Sequence, residues 1–394
     1  MSLPVSKRLG RTRPSPTGEA LALAARLQAA GHDIIGLGVG EPDFDTPQAI
    51  RDAAIAAIRG GATRYTPIAG TPALRAAVRR KFARDNGLEF DNEQIVVTAG
   101  AKQAVFSLCL AVLDPGTEAV IPAPYWVSYP DIVALCGAEP VIVPAGIDAD
   151  FKVTPARLAG AMSDRTRLVV LNSPCNPTGA AYTADELAAL GSVIERFPDV
   201  VVAADEIYEH IYWGPEPYTS FAAACPQLAD RVVTINGVSK AYAMTGWRIG
   251  FAAGPRALIE AMITLQSQST TNPSSVSQAA AVAALDGEQA PVADMCRAFR
   301  DRHDLVVSGL DALPGFECRP GEGTFYAFPR VTGAIEALGL ADDTEFTKHL
   351  LESAGVAVVP GSAFGAPGHV RLSFACARET LEVALARIAG CLPA

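Results

Sequence analysis

Seven short apolar, β-branched runs, separated by helical patterns, constrain the fold of this chain most strongly. Alternation of strands with helices is typical of a mostly parallel sheet that helices cover on its faces. One helix start is well marked, because Thr183 is followed three residues later by Glu186, the spacing of a capping box. We therefore predict an α/β fold whose large domain contains a mostly parallel seven-stranded sheet flanked by helices. The runs are Ile95–Thr98, Ala119–Ile121, Val141–Val143, Leu168–Asn172, Val200–Ala204, Val232–Ile235 and Ile249–Ala253.

The C-terminal part of the chain follows a different pattern. A long helical pattern covers Pro291 to Leu313, and a closing helix is predicted from Arg378 to about Ile388. Between them lie three short β-rich runs, near Phe325–Phe328, Val356–Val359 and Val370–Phe374. This pattern predicts a smaller α+β domain, with which the N-terminal segment is expected to pack. The predicted domains are 41–288 for the large one, and 1–40 together with 289–394 for the small one.

Composition excludes several classes of function. Hydrophobic residues make up 49% and charged residues 19% of the 394 residues, as in globular rather than disordered chains. The net charge of −10 argues against nucleic acid as a partner, because phosphate binding needs a cationic face. No apolar run approaches the roughly 20 residues of a membrane span, so no membrane association is predicted.

Cysteine and histidine spacing gives no sign of a metal site or a disulfide framework. The eight cysteines include no CxxC pair, and the five histidines include no HExxH spacing. Unpaired thiols of this kind are typical of a reducing compartment. We therefore predict a cytoplasmic protein without a bound metal.

Polar groups follow two of the predicted strands. Asp205 ends the run that begins at Val200, and Tyr208 follows three residues later; Asn176 and Pro177 lie in a rigid turn after the strand Leu168–Asn172. Ligands of open α/β sheets bind at the carboxyl ends of strands, which favours a site here. The alternatives are a helix N-cap for Asp205 and a plain turn around Asn176.

A lysine and an arginine follow the sixth run. Lys240 lies between two apolar strands, and Arg248 follows eight residues later. A lone lysine is usually a surface group, but an ammonium between buried strands is costly unless it has a partner or a lowered pKa. Lys240 is therefore a candidate for Schiff-base formation.

The run from Gly237 to Gly250 resembles the pyridoxal-phosphate attachment motif of class I aminotransferases. The resemblance covers essentially the whole chain and is greatest to bacterial aspartate aminotransferases of the thermophile and rhizobial type. It implies a fold type I enzyme with pyridoxal 5'-phosphate as cofactor. The supporting motifs, in family order, begin at Gly40, Arg64, Gly100, Pro124, Asn172, Asp205 and His369.

The resemblance implies a role for each residue around the cofactor ring. Lys240 would bind the cofactor covalently and, once substrate displaces it, move a proton between the substrate Cα and the cofactor. Asp205 would pair with the pyridine nitrogen and keep it protonated. Tyr208 and Asn176 would hydrogen-bond the phenolic oxygen, and Trp126 would stack on the ring. The catalytic residues implied are Lys240, Asp205 and Tyr208.

The resemblance also implies anion sites. Arg248, with Ser239 in part, would bind the cofactor phosphate. Tyr65 would reach the phosphate of the neighbouring subunit, which implies a homodimer. Arg371 would bind the substrate α-carboxylate with two hydrogen bonds, and Gly40 would let the N-terminal loop approach it. Amide donors at a helix start would complete the phosphate site, and they belong to Gly100, Ala101 and Lys102. Trp126 and Asn176 would also contact substrate.

Two departures from the family pattern affect the phosphate site. Gly237 stands where many relatives have serine or threonine, and Ala101 replaces the second glycine of a pair. A third difference concerns the substrate side chain, because the region Ser267–Ser275 contains no arginine. Thermophile-type relatives use a lysine with serine and threonine instead, which match Lys102, Ser15 and Thr17. A dicarboxylic substrate is therefore predicted.

The function predicted is transfer of the amino group of aspartate to 2-oxoglutarate, giving oxaloacetate and glutamate. The alternative is an aromatic, prephenate or broad-range aminotransferase; Arg11 lies where prephenate-active members carry an arginine, although it can equally be a surface charge. A β-lyase or a non-catalytic ligand sensor of the same fold is less favoured. A nicotinamide dehydrogenase is disfavoured, because Gly36, Gly38 and Gly40 lack GxGxxG spacing.

Overall fold

A computed structural model describes residues 5–12 and 16–393. Its largest sheet has seven strands, and only Gly250–Ala253 runs antiparallel to its neighbours, Ile95–Thr98 and Val232–Gly237. The predicted seven-stranded, mostly parallel sheet is therefore confirmed. In spatial order the strands are Ile95–Thr98, Gly250–Ala253, Val232–Gly237, Val201–Asp205, Thr166–Asn172, Glu118–Ala123 and Glu139–Pro144.

Helices cover both faces of this sheet. Successive strand residues point to opposite faces: Val169 packs in a cluster with Leu187, and Val170 packs in another with Leu108. The predicted capping box is present, with Thr183 and Glu186 each accepting from the other's backbone amide at 3.2 and 2.8 Å. The helices around this sheet are Gln48–Arg59, Pro72–Asn86, Ala101–Val112, Ser128–Cys136, Pro155–Ala161, Ala184–Ile194, Phe221–Ala224, Arg256–Ser267 and Ser275–Asp286.

A second layer of structure is formed by the two ends of the chain. The strand Val370–Ser373 lies between Val359–Pro360 and Tyr326–Ala327, antiparallel to both. Ile35–Gly36 pairs in parallel with Val356–Ala357. Its helices are Pro16–Ala29, Ala290–Asp311, Thr332–Leu338, Asp343–His349 and Arg378–Gly390, with a π-helical turn at Leu350–Ala354.

One predicted strand differs from the structure. The run Val356–Val359 forms two short strands in different sheets, because Val356–Ala357 pairs with Ile35–Gly36 while Val359–Pro360 pairs with Val370–Arg371. The first of these pairings joins the two chain ends. It supports the predicted domain boundaries, 41–288 against 1–40 with 289–394, which stay a prediction.

The sheet brings its carboxyl-terminal strand ends to one edge. Asn172 and Asp205 end neighbouring parallel strands in register, and Val232–Gly237 ends beside them. Short 3-10 helices, including Thr245–Trp247 and Gly361–Phe364, lie in the connections. No helix among the described residues is long and apolar enough to cross a membrane.

Candidate active site

A cavity of about 390 Å³ opens at this edge, between the strand ends and the smaller sheet. Most of the predicted site residues line it, although they come from distant parts of the sequence. These residues are Gly40, Ala101, Lys102, Trp126, Asn176, Asp205, Tyr208, Ser239, Lys240, Arg248 and Arg371.

Asp205 lies at the floor of the cavity and is 4% exposed. The hydroxyl of Tyr129 donates to its Oδ2 at 2.6 Å, and the amide of Ile207 donates to Oδ1 at 3.3 Å. Burial raises the pKa of Asp205 to about 6, against the effect of these two donors. The carboxylate is therefore ionised at neutral pH, and it is held for a cationic partner in the cavity.

Lys240 projects into the cavity from the turn after Val232–Gly237. Its Nζ donates to the carbonyl oxygen of Gly40 at 2.6 Å and lies 5.9 Å from the centre of the Tyr208 ring. Burial first, and then the positive charge of Arg371, lower the pKa of Lys240 to about 8. A neutral, nucleophilic amine is thus accessible near physiological pH.

Arg371 is buried and forms no ion pair with any described residue. Its Nη1 donates to Oδ1 of Asn176 at 2.8 Å, and its Nη2 donates to the carbonyl of Gly38 at 2.8 Å. Its Nε is buried without a hydrogen-bond partner in the described structure. A buried guanidinium without a counter-ion is costly, so the arrangement is suited to an anionic ligand.

Arg248 and the start of the helix Ala101–Val112 form a second anion site. Gly100 caps this helix with φ 87°, and a Cβ at Gly100 would lie 2.3 Å from Nη2 of Arg248. The first turn contains no acidic residue, and the cap has no side chain to accept from the free amides. Exposed amides at a helix start and a guanidinium beside them suit a phosphate.

Close packing accounts for the glycine at position 237. A Cβ there would lie 2.9 Å from the carbonyl oxygen of Ile249 and 3.0 Å from Cα of Gly250. The site therefore lacks a hydroxyl at this position. Ser239 and Thr245 belong to the same motif, line the cavity and each carry a hydroxyl.

Lys102 and Trp126 line another wall of the cavity. The Nζ of Lys102 lies 4.8 Å from the centre of the Trp126 ring, and the ring packs edge-on against Tyr129. Burial, and then the charge of Arg248, lower the pKa of Lys102. An anionic group bound next to Lys102 would stabilise the ammonium and offset this lowering of its pKa.

Two of the remaining predicted residues, Tyr65 and Arg11, lie elsewhere. Tyr65 is 90% exposed and is not part of the cavity lining. Arg11 is also outside the lining. Its side chain packs against Gly137, where an added Cβ would lie 3.1 Å from Nη1 of Arg11. Ser15 lies outside the described residues, as does the side chain of Thr17.

Sequence reasoning missed several residues of the lining, including Tyr129, Asn172 and Tyr326. The sequence carries a signal for Tyr129, because this residue ends the Tyr-Trp-Val-Ser-Tyr segment that begins at Tyr125. Tyr326 gave no signal beyond membership of a short strand. Its hydroxyl lies 3.0 Å from that of Tyr208, a contact across 118 residues of chain.

These groups fit pyridoxal phosphate. The buried Asp205 suits a protonated ring nitrogen, and Lys240 has the lowered pKa of an attachment lysine. Arg248 at the glycine-capped helix start suits the phosphate, and the orphaned Nε of Arg371 marks a further anion position. The donor set thus matches the cofactor, and it leaves a cation for a substrate carboxylate.

Comparison with known proteins agrees with this chemistry. The family described as "Aminotransferase class I and II" matches residues 32–388. The aspartate/prephenate aminotransferase of Nitrosomonas europaea is 50% identical over 394 residues, covering 98% of this chain and 99% of that protein. The aspartate aminotransferase of Geobacillus stearothermophilus is 48% identical, covering 98% of each.

Solved structures give the same result. The aspartate aminotransferase of Rhizobium meliloti superposes with a TM-score of 0.96 at 46% identity, covering 100% of both chains. The Thermus thermophilus enzyme with maleate gives 0.94 at 42% identity, covering 99% of this chain and 100% of that one. The chain therefore belongs to the class I and II aminotransferases, which are pyridoxal-phosphate enzymes of fold type I.

Proposed function

We propose that this aminotransferase transfers the amino group of aspartate to 2-oxoglutarate, giving oxaloacetate and glutamate. The observation that carries the proposal is the presence of two cations, Arg371 and Lys102, in one cavity with Lys240. Neither cation has a carboxylate partner among the described residues. Two such cations suit a substrate with two carboxylates. Relatives that are 48% and 46% identical to this chain carry the name aspartate aminotransferase.

The cofactor, when bound, withdraws electrons from the substrate Cα and so makes its proton acidic. Lys240 Nζ accepts that proton and returns it, a task for which a pKa of about 8 is well matched. Asp205 would hold the protonated ring nitrogen with its ionised carboxylate. Tyr208 and Asn176 would donate hydrogen bonds to the phenolic oxygen, and Trp126 would pack on the ring.

The substrate is oriented by the two cations. Arg371 binds the α-carboxylate and exchanges its contacts with Asn176 and Gly38 in part for that carboxylate. Lys102 binds the side-chain carboxylate. That Ser15 and Thr17 assist Lys102 stays a prediction. Two fixed carboxylates leave the Cα proton one orientation toward Lys240, which is the entropic advantage of a dicarboxylate site.

We further propose a homodimer in which Tyr65 binds the cofactor phosphate of the neighbouring subunit. Its 90% exposure in the single chain and its position outside the cavity lining support this arrangement. A cytoplasmic location is proposed because all eight cysteines are unpaired.

Prephenate is a second candidate amino acceptor, since the relative from Nitrosomonas europaea is named for both activities. Prephenate also carries two carboxylates, so Lys102 and Arg371 serve it equally well. For Arg11 to take part as predicted, its side chain would have to leave its position against Gly137 and reach the cavity.

A half-reaction screen tests the proposal. The holoenzyme is mixed with aspartate, glutamate, phenylalanine or arogenate, and the decay of its visible cofactor absorption is followed. We expect aspartate and glutamate to react at least about tenfold faster than phenylalanine, because a charge-assisted contact contributes about 1.5–3 kcal/mol. Equal rates for aspartate and phenylalanine would contradict the dicarboxylate assignment, and fast reaction of arogenate would favour the second candidate.

A further inference from the structure

We propose that Tyr326 is a positioning residue that orients three site groups together, namely Tyr208, Arg371 and the carbonyl of Gly40. The inference rests on the proposed function and deepens it. Tyr326 begins the short strand Tyr326–Ala327, where it lies opposite Ser373 in register. It is 1% exposed, lines the cavity, and joins the smaller sheet to the strand ends of the larger one.

The hydroxyl of Tyr326 acts on Tyr208. The two phenol oxygens lie 3.0 Å apart, and both side chains are buried. Each phenol has one proton to donate. If Tyr208 donates its proton toward the cofactor, Tyr326 must supply the proton of the contact between them. A donor behind Tyr208 polarises its O–H bond and makes Tyr208 the stronger donor.

The ring of Tyr326 acts on Arg371. The guanidinium carbon lies 4.4 Å from the centre of the Tyr326 ring and 4.8 Å from that of Phe364. Aromatic faces at these distances attract the cation and fix its plane. This plane decides whether the guanidinium presents two parallel N–H groups to a carboxylate.

The same hydroxyl limits the loop at Gly40. A Cβ at residue 40 would lie 2.6 Å from the Tyr326 oxygen, so the loop approaches as closely as glycine permits. The carbonyl of Gly40 accepts from Lys240 Nζ at 2.6 Å. Tyr326 therefore fixes the position of the carbonyl that accepts from Lys240 when its amine is free.

Two substitutions separate these effects. Tyr326→Phe removes the hydroxyl and keeps the ring over Arg371. We expect the pH midpoint of the holoenzyme's visible absorption to rise by about 0.5 to 1 unit, and kcat to fall roughly threefold to tenfold, as for the loss of one buried hydrogen bond. The KM for aspartate should stay within about twofold, since the contact of the ring with Arg371 is retained.

Tyr326→Leu removes the ring as well. We expect it to raise the KM for aspartate and for phenylalanine together by about tenfold, since both present an α-carboxylate to Arg371. Binding of succinate, which has two carboxylates and no amino group, should weaken by a similar factor. Succinate affinity is measured by calorimetry and does not depend on turnover.

Tyr182→Phe is the matched control, because Tyr182 is buried and its hydroxyl accepts one hydrogen bond, from the amide of Val153 at 2.9 Å, away from the cavity lining. It should lower thermal stability without changing the absorption midpoint, the KM or succinate affinity. An unchanged midpoint in Tyr326→Phe, or unchanged succinate affinity in Tyr326→Leu, would overturn the inference if the wild-type enzyme accepts the amino group of aspartate in the half-reaction. A wild-type enzyme that accepts an amino group from no amino acid would overturn the proposed function as well.

Discussion

Individual side chains at the site have pKa values that their burial displaces in useful directions. The pKa of Lys240 falls to about 8, so a usable fraction of neutral amine exists at neutral pH. The pKa of Asp205 rises only to about 6, because Tyr129 and the amide of Ile207 stabilise the charged form. The same edge of the sheet thus holds an amine that can lose its proton near neutral pH and a carboxylate that stays ionised.

The predicted specificity of Lys102 is testable by a substitution that keeps its length. Lys102→Met retains an apolar chain over Trp126 and removes the charge. We expect kcat/KM for aspartate to fall by about 10- to 100-fold, the value of one charged hydrogen bond, while that for phenylalanine changes little. Steady-state kinetics with both amino acids provides the measurement.

Lys348→Met controls for the loss of a positive charge, because Lys348 is 70% exposed and lies outside the cavity lining. It should leave both rate constants unchanged. If Lys102→Met reduces kcat/KM for aspartate and phenylalanine equally, Lys102 does not bind the side-chain carboxylate.

At the scale of elements, the strand ends were predictable and the contacts between them were not. Apolar runs and the residues after them placed Asp205, Asn176 and Lys240 at one edge, since parallel strands end together. The strand containing Asp205 is shifted by one residue from its predicted bounds, being Val201–Asp205. Tyr129 lies 76 residues from Asp205 in sequence, and no local period records such a contact.

The turn after Val201–Asp205 is anchored by two buried acids. Glu206 Oε1 accepts from the hydroxyl of Ser220 and the amide of Phe221, both at 2.8 Å. Glu209 forms an ion pair with the buried Lys81 and accepts from Asn86 at 2.8 Å. The turn that presents Tyr208 is thus tied to elements on both sides.

Glu206 gives this element a distinctive pH dependence. Burial, and then the charge of Glu209, raise its pKa from 4.5 to about 8. Between these pH values the unfolded chain is ionised while the folded one holds a proton, so stability falls as the pH rises through this range. Glu206→Gln should remove this loss. The difference in unfolding free energy between the variant and the wild type should therefore be larger at pH 8 than at pH 5, in favour of the variant, by a few kcal/mol.

Urea denaturation at both pH values measures the difference. Glu195→Gln, at an exposed glutamate, controls for the removal of one negative charge. If Glu206→Gln and the wild type lose stability in parallel with pH, Glu206 is not protonated in the folded protein.

For the whole molecule, the charge distribution matters more than the net charge. The chain has a net charge of −10, yet its cavity is lined by Lys102, Lys240, Arg248 and Arg371. An acidic surface disfavours polyanions, while a concentrated cationic cavity attracts small ones. The two properties together suit a phosphorylated cofactor and a dicarboxylate.

The proposed dimer predicts complementation between inactive chains. Tyr65→Ala and Lys240→Ala homodimers should each have little activity. A heterodimer of the two has one site with Lys240 from one chain and Tyr65 from its partner. Random mixing should therefore restore about a quarter of the wild-type activity, since half of the dimers carry one intact site of two.

Mixing Lys240→Ala with Arg371→Ala chains is the control, because both residues serve the site of their own chain and no intact site forms. Activity is measured after denaturation and joint refolding. If Tyr65→Ala with Lys240→Ala gains nothing on mixing, Tyr65 acts within its own chain or not at all.

The sequence by itself determined the class of fold, the order of the strands along the chain and the residues at the strand ends, because periodicity and turn chemistry are local properties. Only the tertiary structure decided which side chains meet around them. Tyr326, Tyr129 and the carbonyl of Gly40 come to the site through packing of distant segments. Such contacts depend on the path of the whole backbone, and no local segment encodes them.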